Sequence, residues 1–238
     1  MYELMAAAGF LFAAVLSYIL LRKNGISLFS LYMNLLFGAV LLFIGARLFG
    51  IVSYSIYQLS ISEPIGISTL NNSGIVFYGG LIGLIIGFCF RNTCDISKDV
   101  LAVAIPLFHS FARIGCYFAG CCYGIRSRTM GLPYPVHMPD SHRIPVQLIE
   151  SAANLVIFAV LLILFLKNKR GLMPLYLSLY SVVRFADEFI RGDAVRGVIM
   201  WVSFSQIVSV MLLAVSAYMI QKGRPYSPGY LDLPVRKT

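Results

Sequence analysis

The sequence predicts an all-α protein that crosses a membrane about seven times. Its 238 residues are 59% hydrophobic and only 12% charged, with a mean hydropathy of +0.82. Soluble domains are about half apolar and a quarter charged, so this composition is typical of polytopic membrane proteins. The apolar runs are continuous and approach the roughly 20 residues that a spanning helix needs. Strands of membrane barrels alternate apolar and polar residues instead, so the pattern excludes a barrel.

Seven apolar segments follow one another along the chain. The polar segments between them are too short to form a soluble domain. We therefore predict one transmembrane helical domain over residues 1–225 and a cytoplasmic tail over residues 226–238. The predicted spans lie near residues 2–21, 28–49, 74–90, 99–119, 147–166, 172–190 and 199–220.

The distribution of basic residues predicts the orientation of these spans. If the segments at 22–25, 91–98 and 167–171 share one side with the C-terminal tail, that side carries eleven Lys and Arg residues against five on the other. Every lysine lies on the first side. Basic loops stay in the cytoplasm, so we predict that the N-terminus is outside and the C-terminus inside. The net charge of +9 then reflects topology and anionic lipid, and it does not indicate nucleic-acid binding.

Two arginines lie deepest in the predicted spans. A charged side chain in the bilayer costs about 2.5–3.5 kcal/mol on insertion scales, so both are candidates for function. Arg184 has Glu188 four residues on, one turn along the same helix face. Arg113 has only His109 at that distance, and we expect its planar guanidinium to bind a phosphate or carboxylate. The alternative is that each arginine is neutralised locally and serves helix packing.

Three cysteines lie close to Arg113 in the segment ARIGCYFAGCCYG at 112–124. The spacing of Cys116, Cys121 and Cys122 does not match the usual C-x2-C ligand pattern, so no metal is expected. A nucleophilic role needs a lowered pKa, which Arg113 favours and lipid burial opposes. Packing is the favoured alternative, because free cysteine behaves as a small apolar residue. Three cysteines in seven residues are nevertheless more than packing requires.

Glycines repeat every four residues in the third predicted span, at Gly79, Gly83 and Gly87, with Gly80 beside them. A stripe of small residues lets two helices approach closely, which by itself explains the repeat. The functional alternative is that the stripe brings the backbone close to a lipid head group.

Motifs spread over nearly the whole chain resemble those of the prolipoprotein diacylglyceryl transferase family of bacterial inner-membrane enzymes. FYGGLIG at 77–83 resembles its HGGLIG motif, and ARIGCYFAGCCYG is similar to its GRxGNFxNxExxG signature. IPVQLIE at 144–150 resembles HPxQLYE, and YSVVRFADEFIR at 180–191 resembles YxxxRFxxEFxR. Further similar stretches are YELMAAAGF at 2–10, GARLFG at 45–50 and SFSQIVSVML at 203–212.

The resemblance implies an enzyme that moves the diacylglyceryl group of phosphatidylglycerol, or a related anionic phospholipid, onto the lipobox cysteine thiol of a preprolipoprotein. It implies that Arg113 and Arg184 stabilise charge on the departing phosphate. His109 is then expected to accept a proton, with simple packing as its alternative, and Tyr78 occupies the position of a motif histidine. No metal, cofactor or nucleic acid is implied. The implied substrate-binding residues are Tyr2, Gly79, Gly80, Gly115, Cys116, Gly120, Cys121, Gly124, Gln147, Glu150, Glu188 and Arg191.

Departures from the family motifs leave other functions open. Cys116, Ala119 and Cys121 stand where the signature has two asparagines and a glutamate, and Ile144 and Ile149 replace a histidine and a tyrosine. The arginines and most glycines are kept, so the lipid-phosphate half of the expected site is the better supported. The alternatives are a divergent transferase, with another acceptor, another donor lipid or a nucleophilic Cys121 or Cys122, and a non-catalytic lipid-binding or transport relative.

Overall fold

The computed structural model describes residues 1–25, 28–74, 76, 78–83, 95–133, 142–193, 198–199 and 202–222. The helices in these ranges are α1 (Tyr2–Lys23), α2 (Leu28–Ser60), α3 (Ile67–Asn72), α4 (residues 78–83), α5 (Asp95–Ala119), α6 (Val146–Leu166), α7 (Leu172–Asp187) and α8 (Phe204–Gln221). Two short antiparallel pairs join β1 (Leu132–Pro133) to β2 (His142–Arg143) and β3 (Val198–Ile199) to β4 (Val202–Ser203). The predicted all-α class is confirmed.

Five helical segments in the described ranges are long and apolar enough to cross a membrane: Tyr2–Lys23, Leu36–Leu59, Ile96–Ala119, Val146–Leu166 and Phe204–Gln221. The predicted span at 172–190 corresponds to α7, which has only 16 residues. At 1.5 Å per residue it reaches about 24 Å, short of the roughly 30 Å hydrocarbon core. Tyr176, Leu177 and Tyr180 of α7 are fully buried, so this helix lies inside the bundle. The predicted span at 74–90 falls partly outside the described residues, and its described part contains α4.

Helix α2 is longer than the predicted span at 28–49, because the segment after Gly50 contains no proline until Pro64. The chain then folds back, so that Thr69 of α3 donates to Gln58 Oε1 at 2.7 Å. Arg47 donates to the carbonyl oxygens of Leu70 and Ser73. This third intramembrane arginine therefore fastens α3 to α2.

Close packing of α1 on α5 and of α4 on α2 depends on glycine. A Cβ at Gly115 would lie 3.1 Å from the carbonyl oxygen of Tyr2, which shows how tightly the start of α1 covers the end of α5. A Cβ at Gly79 would collide with the carbonyl oxygen of Gly45 in α2. Small residues at such crossings allow van der Waals contact between backbones in lipid. Packing therefore accounts for Gly79 without a lipid head group.

Helix α7 is held at its first turn by a carboxylate from α5. Asp99 accepts hydrogen bonds from the backbone N–H groups of Gly171, at 3.2 Å, and Leu172, at 2.7 Å. A carboxylate at this end satisfies unpaired N–H groups and favours the helix dipole. The contact fixes the start of α7 against α5, and α7 then carries Tyr180 and Arg184 to the opposite end of the bundle.

Candidate functional site

The candidate site lies where α5 ends, α6 begins and α7 ends. Arg113 is in the last two turns of α5, Glu150 is in the first two turns of α6, and Arg184 is in the last turn of α7. Residues 123–126 hold these helix ends together, because their backbone forms hydrogen bonds with the segment before α6 and with the segment after α7. Gly124 N–H donates to Ile144 O at 3.2 Å on one side, and Ile125 N–H donates to Ile190 O at 3.0 Å on the other.

Glu150 is the centre of the first charged group. Its Oε2 forms an ion pair with Arg113, 2.9 Å from Nε, and its Oε1 lies 3.6 Å from His109 Nε2. Glu150 and His109 are 1% and 2% exposed. Arg113 therefore has a protein carboxylate beside it, which comes from another helix and not from its own turn of α5. Removing one member of a buried pair leaves an uncompensated charge and typically costs about 3–5 kcal/mol.

Arg113 uses only one edge of its guanidinium in this pair. Its contact to Glu150 is made through Nε. Among the described residues, no ion pair or hydrogen bond involves its two terminal amino groups. Those two groups form the planar fork that binds phosphate or carboxylate in two-point fashion. The pair to Glu150 thus orients Arg113 while leaving its terminal groups for an external anion.

Arg184 is the centre of the second charged group. Its Nη1 lies 3.0 Å from Glu188 Oε2, as the four-residue spacing predicts, and its Nη2 donates to Ser205 of α8 at 3.2 Å. Glu188 also lies 3.7 Å from Arg191, whose Nε donates to Asp193 at 2.8 Å. Arg113, Arg184 and Arg191 all act electrostatically on Glu150, so the two groups form one buried network.

Aromatic side chains of the hydrophobic core contact this network. Tyr180 of α7 contacts the His109 ring edge-on, with centroids 5.3 Å apart, and the Tyr78 ring at 5.8 Å. The Tyr78 hydroxyl shares a 2.7 Å hydrogen bond with Ser209 of α8. The four residues predicted to be catalytic, Arg113, Arg184, His109 and Tyr78, are therefore brought into one cluster.

The three cysteines of the signature segment meet beside this network. The Sγ atoms of Cys116, Cys121 and Cys122 all lie within 4.8 Å of one another. Gly120, with φ of 71°, reverses the chain after α5, and Cys122 has a left-handed φ of 57°. Such a conformation costs a residue other than glycine about 1–3 kcal/mol, and functional sites concentrate strain of this kind. Cys116 is buried as packing predicts, but Cys121 is exposed and packing does not account for it.

The pKa values of Cys121 and Cys122 are shifted in opposite directions. Hydrogen bonds from Cys116 and Cys121 lower the pKa of the Cys122 thiol, with help from the Arg113 and Arg191 guanidiniums and against the effect of burial. Its neighbour Cys121 has a raised pKa, because hydrogen bonding to Cys116 and Cys122 stabilises the protonated form.

The predicted substrate-binding residues fall into two sets. Tyr2 is 46% exposed and lies over Gly115 near all three cysteines, and Gln147 donates to the Cys121 carbonyl at 2.5 Å. Gly120 and Gly124 shape the loop that carries the cysteines, and Glu150, Glu188 and Arg191 belong to the charged network. In contrast, Gly79 and Gly80 pack on α2.

Sequence reasoning missed several polar residues that complete the network: Ser205, Ser209, Asn154, Asp193 and Arg143. Asn154 donates to the Glu150 carbonyl at 2.8 Å, and Arg143 donates to the Gly124 carbonyl at 3.1 Å while covering the Tyr123 ring. Ser205 and Ser209 are four residues apart on the apolar helix α8. Polar residues repeating once per turn in an apolar segment were the signal available for these two serines.

Comparison with known proteins shows the family to which the chain is similar. The family described as prolipoprotein diacylglyceryl transferase matches residues 1–221. A phosphatidylglycerol–prolipoprotein diacylglyceryl transferase of Clostridium tetani is 31% identical over 178 residues, which cover 69% of this chain and 70% of the relative. One of Clostridium perfringens is 31% identical over 152 residues, 59% of each chain. That of Ehrlichia canis is 30% identical over 176 residues, 68% of this chain and 67% of the relative.

Proposed function

The chain belongs to the prolipoprotein diacylglyceryl transferase family, and on that basis we propose that it moves the diacylglyceryl group of phosphatidylglycerol onto a cysteine thiol of a prolipoprotein. The observation that supports this most is the pairing of two buried arginines with Glu150 and Glu188 at one end of the bundle. A buried charged network in a membrane protein marks a polar substrate path more often than a packing device.

The reaction is an S-alkylation. The acceptor thiol loses its proton, its sulfur forms a bond to the terminal glycerol carbon of the diacylglyceryl group, and the bond from that carbon to the phosphate oxygen breaks. The electron pair leaves with glycerol phosphate. Negative charge develops on the phosphate, and donors fixed beforehand stabilise such charge without reorganising. Arg113 and Arg184 have that role in the proposal.

The glutamates then act as positioning residues. Glu150 holds Arg113 by Nε, and Glu188 holds Arg184 together with Ser205. A guanidinium fixed on one side presents its remaining donors in a defined plane, which suits a tetrahedral phosphate. We assign His109 the same kind of role, since it is 2% exposed and faces Glu150 and Tyr180.

The proposed location is the bacterial plasma membrane, with the site toward the outer side. The described site lies at the end of the bundle that holds the start of α1 and the described parts of two loops, residues 120–133 with 142–146 and residues 191–193. By charge, those loops belong outside. A single cysteine placed at position 168 of a cysteine-free variant should react with an impermeant reagent only after the cells are opened. Labelling at position 168 in intact cells would contradict this orientation.

The proposal is tested in proteoliposomes that contain phosphatidylglycerol with a radiolabelled diacylglyceryl group and a lipobox reporter peptide. We expect label on the reporter cysteine through a bond that resists hydroxylamine, as a thioether does. A reporter with serine in place of the cysteine is the matched control. Lipid binding without transfer would indicate a non-catalytic, lipid-binding protein. Transfer only from another phospholipid would identify that phospholipid, and not phosphatidylglycerol, as the donor. Complementation of a strain depleted of its own diacylglyceryl transferase tests the same activity in cells.

A further inference from the structure

We propose that Cys116, Cys121 and Cys122 form a zinc site that binds and activates the acceptor thiol. The metal-binding part rests on the geometry of the cysteines alone, and the catalytic part rests on the proposed S-alkylation. The Sγ atoms lie within 4.8 Å of one another. Zn–S bonds of about 2.3 Å place tetrahedral sulfur ligands about 3.8 Å apart. Small side-chain rotations are enough to close that difference.

The fold produces this cluster by a route that ligand-spacing rules do not describe. Cys116 lies in the last turn of α5, and Gly120 reverses the chain with a φ of 71°. Cys122 has a left-handed φ of 57°, so the two adjacent cysteines do not point to opposite sides as in an extended strand. Gln147 of α6 binds the Cys121 carbonyl at 2.5 Å and fixes the turn from the other side. The strained turn thus brings the Sγ atoms of the three cysteines close together.

The electrostatic surroundings suit a zinc–thiolate complex. Three thiolates and one Zn²⁺ carry a net charge of −1. Arg113 and Arg191 both act on the cysteine cluster, so this anionic complex has two guanidiniums beside it. Zinc is the metal that such a thiolate set favours under non-redox conditions. The cluster reaches the protein surface at Cys121, which gives both the ion and an acceptor peptide a way in.

Three protein ligands leave the fourth position of a tetrahedral zinc free, as in catalytic rather than structural sites. The acceptor cysteine fills it as a thiolate, because a coordinating thiol loses its proton, here to water. The bound sulfur attacks the glycerol carbon, the carbon–oxygen bond breaks, and glycerol phosphate leaves with the electron pair beside Arg113. The product is a neutral thioether, a weak ligand that leaves the zinc. The metal stays Zn²⁺ throughout.

The same chemistry disfavours an enzyme cysteine as the nucleophile. Attack by Cys121 or Cys122 on the glycerol carbon would leave the diacylglyceryl group on the enzyme as a thioether. Sulfur in a thioether is a poor leaving group, so the group could not be passed on to an acceptor. As zinc ligands, the three cysteines would contribute to the reaction without forming this stable thioether on the enzyme. Zinc also supplies an activated thiol in a chain where Tyr78 replaces the motif histidine.

Metal content of the full-length protein, purified under reducing conditions, is the first measurement. We expect about one zinc per chain, and replacement by Co²⁺ should give the intense near-ultraviolet absorption of thiolate–cobalt charge transfer. Cys116→Ser, Cys121→Ser and Cys122→Ser should each weaken binding by at least about tenfold, since even outer partners of zinc ligands are worth 10–100-fold. Cys94→Ser, a cysteine outside the signature segment, is the matched control and should keep the metal.

The catalytic part has separate readouts. Adding the reporter peptide to the Co²⁺ protein should shift its visible spectrum, whereas the serine reporter should not. Chelation should abolish transfer and leave binding of phosphatidylglycerol vesicles unchanged. Wild-type protein with no more zinc than the triple-serine variant, or a mass loss of two hydrogens that shows a disulfide, would overturn the site. Full transfer by zinc-free protein would overturn activation. A zinc-bound protein that transfers nothing would instead refute the proposed function and leave the metal site standing.

Discussion

The two halves of the candidate site differ in how the chain builds them. The arginine–glutamate network is buried, lies on helices, and joins residues from α5, α6, α7 and α8. The cysteine cluster is partly exposed, lies on one turn, and comes from seven consecutive residues. The first half keeps the residues of the family motifs and the second replaces them. We infer that donor-lipid chemistry is fixed by the buried half, whereas handling of the acceptor has changed in the exposed half.

The strongest test of this contrast replaces the arginines. Arg113→Lys and Arg184→Lys should lower transfer almost as much as Arg→Ala, by about 10²–10³-fold. Lysine keeps the charge but loses the two-point fork, and the loss of one fixed donor to a developing anion has that magnitude. Initial rates in proteoliposomes at equal protein content measure the effect. Arg128→Lys on the exposed loop is the matched control. Wild-type turnover by Arg113→Lys would make its guanidinium structural.

Glu150→Gln tests whether the buried half acts as a unit. The change removes the ionic partner of Arg113 and should lower both thermal stability and transfer, because breaking a buried pair costs about 3–5 kcal/mol. A double-mutant cycle with Arg113→Gln should show strong coupling, so the double variant is less impaired than the two losses combined. Thermal unfolding in detergent and the transfer rate supply the two readouts. Additive effects would mean that Glu150 does not position Arg113.

The contrast between the halves also explains which parts of the fold and of the site could be predicted from the sequence. The Arg184–Glu188 pair follows from spacing on one helix, and it is present. Arg113 and Glu150 lie on different helices and are 37 positions apart in sequence, so no rule for neighbouring residues predicts their ion pair. The predicted span at 172–190 corresponds to the 16-residue α7, whose burial the sequence does not reveal, because apolar content does not distinguish lipid contact from burial inside the bundle. The cysteine cluster depends on the left-handed backbone at Cys122, which no ligand-spacing pattern reveals.

His109→Gln tests whether His109 accepts a proton directly or only positions Glu150 in the buried half. A direct proton acceptor should lose about 10²–10⁴-fold in transfer when it is replaced. Because His109 is buried against Glu150, we expect instead a loss of severalfold with an unchanged pH profile, since glutamine still offers an N–H to the carboxylate. The pH dependence of kcat and KM for the reporter distinguishes the outcomes. A large loss of kcat together with the loss of one limb of the pH profile would restore the proton-acceptor role.

Tyr78→Phe should have the smallest effect, although Tyr78 occupies the position of a motif histidine. Its hydroxyl is 2.7 Å from the Ser209 hydroxyl, so the bond holds α4 against α8. A neutral hydrogen bond contributes about 0.5–1.5 kcal/mol to stability, so we expect a modest drop in unfolding temperature. Ser209→Ala should give the same drop, and the double variant should add little. Transfer should stay within about threefold of wild type, because neither side chain forms a described hydrogen bond or ion pair with Arg113 or Arg184. If Tyr78→Phe abolished transfer while Ser209→Ala did not, the hydroxyl would serve the reaction, and the buried half would extend to α4.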